Sequence, residues 1–185
     1  MGGETGTELP AAALEGLEGR VGRLLAVGPV VGSGVSVRGQ GLGGGLRVGV
    51  ACSRFNGALT LRLLEGALEA LDECGVDRSD VTVAWAPGAF ELPLVARALV
   101  ARGVDAVVCL GAVVRGETGH YELVAGECAG GIQRVQLDTG VPVAFGVLTT
   151  EDTGQALARS TPGEANKGRE AAATAVEMAR LLQAV

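Results

Sequence analysis

The chain has one histidine, one lysine, one tryptophan, one tyrosine and three phenylalanines among 185 residues, and this scarcity excludes a good deal. A single imidazole and four scattered cysteines cannot assemble an ordinary zinc site, so no metal is expected. Cys52, Cys74, Cys109 and Cys128 show no C-x-x-C spacing and lie mostly in apolar stretches, as buried thiols in a reducing compartment do. Basic residues are outnumbered, 15 against 21 acidic ones, for a net charge of -6, and they form no patch. A nucleic-acid partner gripped through its phosphates is therefore not expected. The longest clean apolar run, Ala106 to Val114, is about half of what a bilayer-spanning helix needs, so no membrane partner is expected either. Residues 1–20 carry four glutamates and lack the basic and apolar segments of a secretory signal, which makes the expected location cytoplasmic. There is no G-x-x-x-x-G-K-[ST] phosphate loop and no G-x-S-x-G elbow with a suitable triad. Chemistry, where present, is expected to be metal-free and to move protons.

What is there suits one folded domain with an excess of apolar residues, 48%, and such a surplus points to subunit interfaces. Residues 1–45 hold 14 of the 31 glycines and form a flexible Gly-rich arm, in which Val35 to Arg38 alternates as a short strand would. Gly39, Gly41 and Gly44 match G-x-G-x-x-G, but a strand follows the motif instead of preceding it, so a dinucleotide loop is rejected. Residues 46–185 alternate between β-like runs and amphipathic helical stretches. Strands are expected at Leu46 to Cys52, Val81 to Trp85, Ala106 to Val114 and Val143 to Leu148. Helices are expected at Ala58 to Cys74, Phe90 to Arg102, His120 to Leu137 with a break at Gly130 and Gly131, a short piece capped by Asp152, and Lys167 to Gln183. This pattern predicts a three-layer α-β-α sandwich around a four-stranded parallel sheet, with flavodoxin-like topology.

The scarce residues cluster at or just beyond the strands, and in open parallel sheets ligands bind outside the carboxyl ends. Phe55 fits either a flat platform for a planar ring or a core residue capping the sheet. Glu91, in the turn that begins at Pro87-Gly88, fits either a ligand contact or a simple helix-dipole partner. Arg115-Gly116-Glu117-Thr118-Gly119-His120 has the layout of an anion site at a helix start, with an imidazole that exchanges protons near neutrality beside it. Lys167 is either a required ammonium or a solvated charge, and Arg159 either a phosphate clamp or an exposed helix cation.

Five blocks in order carry a more specific message: Ser53-Arg54-Phe55-Asn56, Pro87 to Pro93, Gly111 to His120, Pro142 to Thr150, and Asn166 to Ala172. Together, over about residues 46 to 182, the chain resembles the 6,7-dimethyl-8-ribityllumazine synthase family. The resemblance implies a transferase of riboflavin biosynthesis that joins 5-amino-6-(D-ribitylamino)uracil to 3,4-dihydroxy-2-butanone 4-phosphate, needing no cofactor. It implies that Phe55 stacks on the pyrimidine, that Ala89, Phe90 and Glu91 hold its ring and ribityl chain, and that Ala112, Val113 and Val114 line the same pocket. It further implies that Glu117 and Thr118 bind the phosphate, that His120 donates the proton, and that Phe145, Arg159 and Lys167 come from a neighbouring subunit, Arg159 on the phosphate. Small-molecule substrates, a homopentamer or its decameric and sixty-subunit multiples, and riboflavin synthase are the partners so implied. Gly119 stands where the family often has proline, and the 45-residue arm is longer than the family requires. On this resemblance Val35 to Arg38 is expected to add to a neighbour's sheet. Two other readings compete: a shell or flavin-binding homologue with little turnover, and an electron-transfer protein, which would want a Ser/Thr-rich loop after the first strand.

Overall fold

A computed structural model describes residues 41–184, and the strand expected at Val35 to Arg38 lies outside them. Four strands, β1 (Val48–Ser53), β2 (Val81–Ala86), β3 (Ala106–Val114) and β4 (Val143–Thr150), form one parallel sheet in the order β2-β1-β3-β4. The central strands β1 and β3 are buried on both faces and so read as nearly unbroken apolar runs instead of alternating ones. β2 is an edge strand, half exposed along its length, and Trp85 on it is 40% exposed. The ladder starts at Val48, two residues later than the apolar run, because the Leu46 N-H is taken by the Gly43 carbonyl in a turn.

Five α-helices among the described residues cover the sheet: α1 (Gly57–Glu73), α2 (Leu92–Ala101), α3 (His120–Thr139), α4 (Thr153–Arg159) and α5 (Lys167–Ala184). One core lies between the sheet and α1, α4 and α5, and a second between the sheet and α2 and α3, which makes three layers. α1 follows from its leucines: Leu59, Leu63, Leu64, Leu68 and Leu71 recur on one buried face, each contributing about 2 kcal/mol by burial. It stops where Gly75 takes φ +82, so that the Gly75 and Val76 N-H groups close back on the carbonyls of Asp72 and Leu71. α5 crosses α1 at very short range. A Cβ on Gly168 would lie 2.0 Å from the Leu63 carbonyl oxygen, so only glycine permits the approach.

Two expectations need correction. α3 runs unbroken through Gly130 and Gly131. Gly131 is there for packing, since a Cβ on it would meet Pro93 of α2 at 2.6 Å, and Gly130 faces open space. The helix expected from Phe90 begins instead at Leu92, after a 3-10 turn over Ala89–Glu91, with Pro93 in the first turn where its missing N-H costs nothing.

The strand order reverses direction between β1 and β3, which makes their carboxyl ends the topological switch point of the sheet. The loops that follow these two strands carry Phe55 and His120.

Candidate active site

The loop after β1 is tied to its neighbours on both sides. The Arg54 and Phe55 N-H groups donate to the carbonyls of Ala86 (2.9 Å) and Pro87 (3.1 Å), and the Asn56 side-chain amide donates to the Ala112 carbonyl at 2.9 Å. Asn56 is the one non-glycine residue with positive φ (+56) among the described residues, and its side chain does not cap α1. It crosses to β3 instead. The local result is that Phe55 stands 62% exposed beside the Pro87-Gly88 turn. Phe90, 55% exposed, comes off the same turn, and the Glu91 carboxylate folds back over Gly88, 3.1 Å from where a Cβ would sit. Ala89, Ala112 and Val113 are buried in the two cores, while Val114 is half-buried at the strand end. Ala89, Ala112 and Val113 thus belong to the cores more than to the rim.

Beyond β3 the turn through Gly116, Glu117, Thr118 and Gly119 is exposed and leads into α3, which begins without a side-chain cap. Its first N-H groups are thus left for solvent or an anion. The His120 N-H lies 3.5 Å from the Thr118 hydroxyl, a marginal contact, and the exposed imidazole makes no hydrogen bond among the described residues. Arg115 brackets this turn. Its N-H donates to Thr150, its guanidinium to Glu122 and, at 2.6 Å, to Glu151, and it lies over the Tyr121 ring at 4.1 Å. The hydrogen bond from Arg115, with help from a backbone N-H, holds the Glu122 carboxyl below the usual range, and the bonds to Glu122 and Glu151 push Arg115 up.

Phe145, Arg159 and Lys167 lie elsewhere. Phe145 pairs in register with Cys109, five residues short of the β3 end at Val114, which is roughly 16 Å back along the sheet at about 3.3 Å per residue. A cavity of about 320 Å³ runs along the outer edge of β4 between Phe145 and the first turns of α5, where Lys167 pairs with Glu170. Arg159 ends α4 and donates to the Gln155 carbonyl at 3.0 Å, with no carboxylate partner among the described residues. Lys167 owes its place to Asn166, which is 1% exposed. The Asn166 amide donates to the Arg62 and Ser160 carbonyls, and its oxygen accepts from the Gly168 and Arg169 N-H groups, capping α5. Neither Asn56, Arg115 nor Asn166 stood out in the sequence as an organiser. A signal was present only for Asn166, an Asn directly before an amphipathic run.

The cysteines are free. Burial pushes Cys52 and Cys109 well up and Cys128 to about 12, so none of these three offers a thiolate nucleophile. Among the described residues no three His, Cys, Asp or Glu side chains are grouped to hold a metal ion, and no helix is long and apolar enough to cross a membrane.

The fold is thus a doubly wound α/β one, with exposed ring, carboxylate and imidazole side chains around its switch point. The 6,7-dimethyl-8-ribityllumazine synthase family model matches residues 45–183. The chain is 55% identical over 141 residues to the 6,7-dimethyl-8-ribityllumazine synthase of Edwardsiella ictaluri, covering 75% of this chain and 90% of that protein. It is 54% identical over 142 residues to that of Thermus thermophilus (76% and 90%) and 51% identical over 142 residues to that of Syntrophus aciditrophicus (76% and 92%). The chain belongs to the 6,7-dimethyl-8-ribityllumazine synthase family.

Proposed function

We propose that this enzyme condenses 5-amino-6-(D-ribitylamino)uracil with 3,4-dihydroxy-2-butanone 4-phosphate to give 6,7-dimethyl-8-ribityllumazine, phosphate and water, in a site completed by two protomers. The observation that supports the reading is that the ends of β1, β2 and β3, tied by the Arg54, Phe55 and Asn56 hydrogen bonds, carry an exposed flat ring (Phe55), a carboxylate (Glu91) and an unpartnered imidazole (His120) at an uncapped helix start. Phe55 stacks on the pyrimidine, Ala89, Phe90 and Glu91 hold the ring and ribityl chain, and Ala112, Val113 and Val114 back the pocket. The N-H groups around Glu117 and Thr118 hold the phosphate, and His120 moves the protons. Imine formation, phosphate elimination, tautomerisation and ring closure all call for positioned proton transfer, and fixed donors stabilise the departing phosphate.

The sharing is supported by the position of Phe145, well back from the carboxyl rim, and of Lys167, which lines the cavity beside it at the edge of β4. A second copy supplies Phe145, Arg159 and Lys167. A surface that repeats head to tail forms a ring where its rotation closes, and a pentamer or a multiple of it would cover exposed apolar residues, Leu94, Leu123 and Leu137 among them. Riboflavin synthase is the partner that would take up the product, and the free thiols suit a reducing cytoplasm.

Mixing both substrates with the protein is expected to give lumazine absorbance and fluorescence, and no product ends the reading. Sharing between chains has its own test. His120→Ala and Arg159→Ala proteins, each nearly inactive, are dissociated, mixed and reassembled. With random neighbours about a quarter of the sites hold both intact residues, and activity recovers to roughly that fraction. No recovery on verified co-assembly refutes the sharing.

A further inference from the structure

We infer that Arg115 is a positioning residue for the phosphate turn and for His120, acting through Glu122 and Glu151 and not by touching substrate. The inference rests on the activity proposed above. The turn has little shape of its own: it contains Gly116 and Gly119, its single side-chain hydrogen bond among the described residues is the 3.5 Å approach of His120 N-H to Thr118, and α3 starts uncapped. Its form must therefore come from its ends.

Arg115 joins those ends. Its backbone N-H extends the β3–β4 ladder by one bond to Thr150 at 2.8 Å, which fixes its position on the sheet. Its guanidinium then spans the mouth of the turn, from Glu122 in the first turn of α3 to Glu151 just past β4, with its face on Tyr121. End of β3, start of α3 and end of β4 are locked in one arrangement, and His120 is two residues from the Glu122 anchor. A planar fork of donors suits a bridge between two carboxylates, and a point ammonium does not. Because its charge is balanced by both carboxylates, Arg115 is not free to clamp an incoming phosphate. Its absence would leave Glu122 and Glu151 uncompensated near a dianion, so loss of geometry and adverse field act in the same direction. Both fall on the phosphorylated substrate. The pyrimidine is held on the loops after β1 and β2, which Asn56 and the Pro87 carbonyl secure independently.

Arg115→Met is expected to raise KM for the butanone phosphate about tenfold while KM for the pyrimidine moves less than about twofold. Arg115→Lys, which keeps the charge but not the planar fork, restores only part of the loss and shows the same selective rise at smaller size. Affinity for inorganic phosphate, by calorimetry on the intact assembly, should fall in parallel. The inference is overturned if the wild type turns over and Arg115→Met leaves both KM values unchanged, if both rise equally, or if Lys restores everything. Should Arg115→Met fail to assemble, Arg115→Lys decides: a selective rise in KM for the butanone phosphate supports the inference, and unchanged or equally raised KM values overturn it. A wild type that makes no product refutes the proposed activity instead. Phosphate calorimetry then judges Arg115 alone, and either no phosphate binding or equal binding by wild type and variant overturns its role.

Discussion

At the carboxyl rim, Phe55, Phe90 and His120 hang from short loops secured by a few backbone bonds, whereas beside β4 Lys167 follows an asparagine that is buried and fully hydrogen-bonded. The two regions differ in what holds them. The rim is shaped by contacts between loops and leaves its chemical groups in the open. The α5 start is shaped by core packing, with Gly168 against the Leu63 carbonyl and Gly66 against the Asn166 side chain. On the proposed sharing between chains, groups that reach from one chain to another gain from a rigid base, since slack there would be multiplied at the tip. Groups that receive a substrate can be tied more lightly.

Breaking the rigid half should cost stability first. Gly168→Ala drives a methyl into backbone that cannot yield and is expected to cost about 3 kcal/mol or more, or to prevent folding, as thermal and denaturant melts will show. Asn166→Ala strips the cap from α5 and removes the amide's bonds to the Arg62 and Ser160 carbonyls, for about 2–3 kcal/mol in the same melts. The rim should respond less. Asn56→Ala loses the bond to Ala112 and puts a Cβ residue without local support at φ +56, for about 1–2 kcal/mol, and Asn56→Gly should recover the backbone part only. Equal losses at Asn166 and Asn56 would abolish the contrast.

The smallest effect is one of acidity. The Glu122 carboxyl is held below its ordinary value by Arg115, so the pair's contribution is complete above the free glutamate value of about 4.3 and is lost as the pH falls through the lower folded one. Amide exchange over residues 116–124, corrected for intrinsic rates, should stay flat from neutrality to about pH 4 and rise only below it. The glutamate is exposed, so global stability should hardly register the change.

Much of this was legible in the sequence. β3 matched at both ends because its apolar run is bounded by Asp105 and Arg115, and the Asp152 side chain accepts from the Gln155 N-H as a cap should. Gly130 and Gly131 misled because their local meaning is a helix break, while the reason for Gly131 is Pro93, far away in sequence. The organisers stayed hidden for the same reason. Asn56 finds its partner 56 residues away and Arg115 reaches Glu151 across 36, and no local pattern encodes such pairings. The loops after β1 and β3 were recognisable as neighbours only through the strand order that makes them so.

The lone indole has a practical use. Trp85 stands partly uncovered on the border strand of the sheet, and no second tryptophan competes with its emission. Any segment that comes to lie along that border, from this chain or another, will shift the colour of the light it emits, so the protein carries its own optical gauge of what docks there.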